Sequence, residues 1–379
     1  MRIFLNLTSI FKGGAEQVAA SFVDECKAFT AHEFHVFLRD NIGEQLNKQN
    51  VPSHIKFYRF NERPGKGLAA YRRTIKKLNN YEDELNPDCV VSTGGHGYWR
   101  PKAPLIAGFN IPHFVYPDSP YFDQMNLKSK FIWWVKEKVH LRFYGRTDAL
   151  FVQTLDVKNR LENKLNKKVP VHVISNTVNG HFLDPKNVTD KLPEKAENEV
   201  RLLMLSSYYP HKNHKIIRET VKELNKQNTS KQFKFVVTLP GEPYNRLFSE
   251  VSEDVINLGR LPIAECPGLY KECDFMFLPS LLECFSASYI EAMLMRKPIL
   301  TSDLGFAHTV CKDAAVYFNP THPNEIANKI IDLAENIDLQ NDLIEKGERI
   351  ASEIGTPSKR ASSILALCEE VVKNKKSQI

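Results

Sequence analysis

The stretch Phe277-Leu-Pro-Ser-Leu-Leu-Glu283-Cys-Phe285-Ser-Ala-Ser288-Tyr-Ile-Glu291-Ala-Met293 decides how this chain is read. After Asp274, residues 275–278 form a compact apolar run ending at Pro279, the pattern of a short buried strand. Ser286 and Ser288 are residue types that cap helix N-termini. Glu291, Ala292, Met293 and Leu294 are strong helix formers. The reading is strand, turn, helix, with two carboxylates eight positions apart around the helix N-terminus. Free backbone N–H groups and the positive end of the helix dipole suit a phosphate there. Carboxylates beside a phosphate repel it, so Glu283 and Glu291 are better placed to accept hydrogen bonds from sugar hydroxyls. The combination predicts a nucleotide-sugar pocket.

Working outward, the stretch is followed by Arg296-Lys-Pro-Ile-Leu-Thr-Ser-Asp303-Leu-Gly305 and Asp313-Ala-Ala-Val-Tyr-Phe-Asn-Pro320. A Glu-x7-Glu pair alone occurs by chance in charged helices. With a strand before it and a Lys-Pro strand after it, the pattern is specific. It resembles the signature of retaining glycosyltransferases of family 4. The resemblance spans nearly the whole chain and implies an α/β GT-B fold, in which two Rossmann-like domains with parallel sheets face each other across a cleft.

The bulk properties agree. A chain of 379 residues accommodates two or three domains. Hydrophobic content of 42% and charged content of 25% suit a globular protein. No apolar run approaches the roughly 18 residues of a membrane span. The N-terminal residues 1–7 read as a strand, too short for a signal peptide. Seven cysteines without a Cys-x-x-Cys pair predict a reduced, cytoplasmic setting without a zinc site. Residues 1–180 hold 26 Lys/Arg against 17 Asp/Glu, and the remainder 25 against 28. A basic half predicts an anionic partner, such as membrane lipid or an acidic substrate.

Short apolar runs alternate with helix-length segments, which predicts parallel sheets covered by helices. The expected strands are 2–7, 35–39, 55–60, 89–92, 114–116, 149–153 and 172–175, then 201–206, 234–238, 255–258, 275–278, 299–301 and 316–318. The polar stretch 179–200 reads as an interdomain connection. The expected domains are 1–180 for the acceptor and 181–357 for the nucleotide sugar. A helix over 358–379 is expected to cross back to the first.

Lys212, in the turn His211-Lys-Asn-His214 after a strand, can reach a diphosphate as a point charge. It matches the family lysine that binds donor phosphates. The family often carries an arginine five residues earlier, where this chain has Ser207, so Arg260 is a candidate to share the charge. Gly13-Gly14 precedes a helix and resembles the family's first-domain glycine loop, which approaches the donor; it is not a dinucleotide fingerprint. The donor site implied by the resemblance comprises Gly13, Gly14, Ser207, Lys212, Arg260, Glu283, Phe285, Ser286, Ala287, Ser288 and Glu291. Glu291 would hold the ribose and Glu283 the donor sugar. His96, in Thr93-Gly-Gly-His96-Gly-Tyr98, and Asp118 are candidates to orient an acceptor hydroxyl or take its proton, with His113 behind them. No Asp-x-Asp occurs, so the expectation is metal-independent transfer without a cofactor.

The expected reaction is retaining transfer from a nucleotide-diphosphate sugar to a glycan or lipid-linked acceptor, in bacterial surface polysaccharide synthesis. The alternatives are a GT-B epimerase or a nucleotide-sugar-binding regulator. Nucleic acid is not an expected partner. Peripheral contact with an anionic membrane is expected through 66–78, with Arg72, Arg73, Lys76 and Lys77, or through the two tryptophans of 128–146. On that second helix Phe131, Ile132, Val135, Val139 and Phe143 share one face, expected to be core.

Overall fold

The structure is a computed structural model that describes residues 1–10, 14–39, 51–165, 169–185 and 190–377. In chain order the first half contains β1 (Arg2–Asn6), α1 (Gly14–Cys26), β2 (Glu33–Leu38), β3 (Ile55–Arg59), α2 (Leu68–Leu85), β4 (Cys89–Ser92) and β5 (Leu105–Gly108). Then come α3 (Pro112–Val115), α4 (Leu127–Tyr144), β6 (Ala149–Val152), α5 (Leu155–Glu162) and β7 (Val171–Val173). The second half contains β8 (Glu199–Met204), α6 (Lys215–Leu224), β9 (Gln232–Val237), α7 (Gly241–Phe248), β10 (Val255–Asn257), α8 (Cys266–Glu272), β11 (Phe275–Leu278) and α9 (Ala287–Leu294). It closes with β12 (Ile299–Ser302), α10 (Gly305–Cys311), β13 (Ala315–Phe318), α11 (Pro323–Glu335), α12 (Ile337–Glu353) and α13 (Pro357–Lys376).

The strands form two sheets, ordered β3-β2-β1-β4-β5-β6-β7 and β10-β9-β8-β11-β12-β13. Every pairing is parallel. Each order reverses direction once, at β1/β4 and at β8/β11. Loops leaving the carboxyl ends of strands at such a point frame a crevice where open sheets bind ligands. The chain divides into two compact units. Unit 1 is Met1–Pro117, Asn126–Asn176 and Gly355–Ile379; unit 2 is Asp118–Met125 and Thr177–Ile354.

The cores follow from strand alternation. In β1, Ile3 and Leu5 pack with Phe22 and Val23 of α1 and with Ile364, Leu365 and Cys368 of α13. Phe4 points the other way, against Phe37, Val90 and Leu78 of α2. In unit 2, Leu202, Met204, Phe235 and Phe277 pack with Ile217 and Val221 of α6 and Ile326 and Ile330 of α11. Each fully buried side chain of this kind contributes about 1.5–3 kcal/mol. All seven cysteines are free and buried. Among the described residues no helix is long and apolar enough to cross a membrane.

Two local expectations fail. Residues 114–116 are not a strand: Pro112 sits in the first turn of α3, where its fixed φ starts a helix. The strand of this region is β5, whose four residues follow Pro101 and Pro104 and give little periodicity to read. It ends at Gly108, where a Cβ would lie 2.8 Å from the Phe151 ring and 2.9 Å from the Thr93 carbonyl. The second failure is the expected core face of α4, since Phe131, Ile132, Val135 and Val139 are exposed.

Candidate active site

Besides the buried Glu199–Arg201 pair at the start of β8, unit 2 gathers buried charge at the β8/β11 switch point. The chain leaves β8, passes Ser206 and Ser207, and makes a tight turn at Pro210–Lys212. Asn213 follows in the left-handed region at φ 59°. Its side-chain amide donates to the Pro320 carbonyl at 2.8 Å, fixing the turn before α6 begins. His214 is buried, with Nε2 3.1 Å from the Ser206 hydroxyl. Burial, and secondarily the charge of Lys212, push its pKa down to about 3, so the imidazole is neutral.

The loop after β11 meets this turn. The Leu281 N–H donates to the His211 carbonyl at 2.7 Å. The Ser288 hydroxyl, on α9, donates to the Leu205 carbonyl at 3.4 Å. These bonds bring Lys212 and Glu283 together as an ion pair whose side chains are 14% and 10% exposed. Both charges have lost most of their water, and a buried pair gives little net stability against an apolar alternative. Its retention is better explained by what the two groups do.

Glu291 lies one turn into α9, 7% exposed. The Tyr270 hydroxyl donates to its Oε2 at 3.2 Å. Desolvation raises its pKa to about 7, against the lowering effects of the Tyr270 hydrogen bond and the Lys212 charge. Ser286 occupies the N-cap position of α9 but its side chain makes no capping bond. The expected capping by Ser286 and Ser288 is therefore absent, because the Ser288 hydroxyl is turned to Leu205. The first-turn N–H groups at Ala287 and Ser288 are thus left without a side-chain cap, with Phe285 half-buried beside them.

The remaining donor candidates lie in neighbouring loops. Ser207 and Arg260 are exposed, after β8 and β10. The Asn257 carboxamide oxygen accepts from the Leu239 N–H at 2.9 Å and the Gly259 N–H at 3.1 Å. That joins the loops after β9 and β10, and Gly259 supplies the required φ of +67°. Gly13 lies outside the described residues. Gly14 opens α1, with open space where a Cβ would stand.

The acceptor candidates come out differently. His96 is 2% exposed. Its Nδ1 accepts the Tyr98 N–H at 3.0 Å, so its Nε2 carries the proton and donates to His140 Nδ1 at 3.0 Å. His140 Nε2 then donates to the Tyr98 hydroxyl at 3.2 Å. Burial lowers the pKa of His96 to about 3 and of His140 to about 4. His96 is therefore a neutral link in a closed chain rather than an accessible base. His113 stacks on Trp133 at 3.8 Å. Asp118 is exposed and does not follow a strand of unit 1. It opens the segment grouped with unit 2, which is held by the Ser119 hydroxyl donating to the Leu281 carbonyl at 2.6 Å. Among the described residues no three His, Cys, Asp or Glu side chains cluster as metal ligands.

Tyr270 joins the site without having been singled out. Tyr270 lies on α8, where nothing in the sequence marks it. Ser206 lies beside the highlighted Ser207, and its partner His214 closes the quoted His211-Lys-Asn-His214 turn.

Residues 186–350 match the family described as glycosyl transferases group 1, and residues 12–181 match glycosyltransferase family 4. An uncharacterized glycosyltransferase of Methanocaldococcus jannaschii is 22% identical over 333 residues, covering 85% of each chain. An O-antigen chain mannosyltransferase of Salmonella typhimurium is 26% identical over 245 residues, covering 61% of each. Among solved structures, a sucrose-phosphate synthase from Thermosynechococcus elongatus superposes with a TM-score of 0.74 at 13% identity, covering 98% of this chain and 99% of the other. Two glycosyltransferase family matches in tandem, each over one of two parallel α/β sheets, establish that the chain belongs to the glycosyltransferases of GT-B type.

Proposed function

We propose that the protein transfers a sugar, with retention of anomeric configuration and without a metal ion, from a nucleotide-diphosphate sugar to a glycan or lipid-linked acceptor in surface-polysaccharide synthesis. The observation that carries this is the buried Lys212–Glu283 pair at the β8/β11 switch point. In the structure each charge compensates the other. Donor binding exchanges partners: the diphosphate takes Lys212 Nζ, and hydroxyls of the donor sugar take Glu283. The N–H groups of 285–288 and the α9 dipole add positive potential where charge develops on the leaving diphosphate. Glu291, ionised, accepts from the ribose hydroxyls. Positive charge supplied by side chain and backbone replaces what a metal would supply, and no cofactor is needed. The O-antigen mannosyltransferase relative supports a polysaccharide setting. The cytoplasmic face is the proposed location, since nucleotide sugars are made there.

Incubation with a panel of nucleotide sugars tests the reading, with the released nucleotide diphosphate and the product's anomeric configuration as readouts. Release with one sugar nucleotide, and a glycoside of the donor's configuration by NMR, are expected. Tight binding with no release, with or without acceptor glycans, would instead make the protein a nucleotide-sugar-binding regulator.

A further inference from the structure

We propose that the outward face of α4 docks the protein onto an anionic lipid bilayer. Among the described residues eleven large hydrophobic side chains are exposed, and six are on this one helix: Leu127, Phe131, Ile132, Trp134, Val135 and Val139. The other five are scattered over separate elements. Phe131 is 63% exposed and Trp134 54%. At 100° per residue all six fall on the side opposite the packed one. The packed side is fixed by the Trp133 stack on His113 and by buried Tyr144, and Phe143, stacked on His96 at 4.7 Å, lies at the edge between the two sides next to Ile132. An apolar strip about 27 Å long is therefore left in water by an 18-residue helix.

The charges on this helix select the occupant. Lys128, Lys138 and Arg142 stand among the apolar side chains, and Lys130 and Lys136 border them. The lone acidic residue, Glu137, is turned to the inner side and paired with Lys164 at 2.8 Å. Long cationic side chains can lie along an apolar surface and hold their charge at headgroup level. Trp134, stacked on Phe131 at 5.8 Å, is the residue type that settles at that depth. A second copy of the chain fits poorly, because a two-fold contact would set these cations against their own equivalents. The other basic helix is less available: Arg73 is bound to Glu62 at 2.7 Å, and Lys77 donates to the Arg59 carbonyl at 2.9 Å. The inference does not depend on which sugar is transferred, or on whether one is.

The test is flotation of the full-length protein with vesicles of phosphatidylcholine alone or mixed with phosphatidylglycerol. The wild type is expected to float with the mixed vesicles, less as NaCl rises, and poorly with neutral ones. Phe131→Gln with Trp134→Gln, and separately Lys128→Gln, Lys138→Gln and Arg142→Gln together, should each weaken binding about tenfold or more. All five side chains are outside the core, so thermal melting should not change. Mixed vesicles should shift wild-type tryptophan emission to the blue, and Trp134→Phe should float but lose the shift. Equal flotation of wild type and both combined variants would overturn the proposal, as would a blue shift that survives Trp134→Phe. A lipid-free wild-type dimer that the Phe131/Trp134 variant dissolves would assign the face to a second copy and overturn it equally.

Discussion

The two sheets share one strand order and differ in what stands at their switch points. At β8/β11 unit 2 buries charge: Lys212, Glu283 and, above about pH 7, Glu291. At β1/β4, among the described residues, unit 1 buries mainly uncharged polar groups, with Glu16 in the first turn of α1 as its buried acidic side chain. There His96, His140 and Tyr98 form a neutral chain, and the buried Asn6 carboxamide turns its oxygen to the Thr8 hydroxyl at 2.7 Å. Gly97, at φ +64°, is required beside it, because a Cβ would lie 2.4 Å from Asn6 Nδ2. One topology thus supports two chemistries. Buried charges are costly unless they have work to do. A charged switch point suits a diphosphate and the charge it gains on leaving, whereas a mainly uncharged one suits hydroxyl groups.

The contrast is easiest to break at Lys212. Lys212→Ala is expected to lower turnover about 100- to 1000-fold, the usual result of removing one preorganised stabiliser of developing charge. Glu283→Ala should also be severe, and the double variant should cost less than the two singles combined, because each single leaves a buried charge without its partner. Steady-state kinetics on the four proteins measures this. Additive losses would mean the pair does not act as a unit.

Glu291→Ala should weaken nucleotide-diphosphate binding by roughly 1.5–3 kcal/mol, the range for a hydrogen bond to a charged group. Unchanged affinity in calorimetry would remove Glu291 from the ribose. The raised pKa adds a sharper form of the same test. Ribose hydroxyls donate to the ionised carboxylate, so binding favours proton loss, and affinity for a nucleotide sugar should rise with pH until it levels above about 7. Glu291→Gln should flatten that rise. Tyr270, which faces the same carboxylate, stays neutral through this range because burial raises its pKa.

Stability should answer to pH in both units, through His214 in unit 2, held near 3, and through His96 and His140 in unit 1. His96 and His140 are held near 3 and 4, below the ordinary value of 6.5. The unfolded chain therefore binds more protons as pH falls below about 6.5, and stability is lost progressively towards about 3. Denaturant melts at pH 7.5 and 5.5 should show the loss, and His140→Gln should reduce it. The smallest expected effect is chelation: EDTA should leave transfer unchanged. Loss of activity restored by Mn²⁺ or Mg²⁺ would contradict charge stabilisation by Lys212 and α9 alone.

Much of unit 2 was legible in the sequence because its elements signal locally. The apolar run at 275–278 and the helix formers after Ser286 fix β11 and α9, and the Lys212 turn follows an equally clear strand. Tyr270 was silent, since its role comes from α8 meeting α9 in space. In unit 1, β5 was hidden by brevity and prolines, while 114–116 offered a more apolar run that Pro112 turns into helix. The face of α4 was misread for a general reason. Periodicity identifies residues that share a side, but with apolar residues on both sides it does not say which side meets the protein. His96 looked like a base because its burial depends on Phe143 and Tyr144, more than forty positions away.

The central claim is that a nucleotide diphosphate binds at the charged switch point of unit 2. Crystals soaked with uridine or guanosine diphosphate test it most directly. The account predicts the diphosphate within hydrogen-bond distance of Lys212 Nζ and the N–H groups of 285–288, with a ribose hydroxyl on Glu291. A diphosphate bound elsewhere, with the Lys212–Glu283 pair still closed, would contradict it.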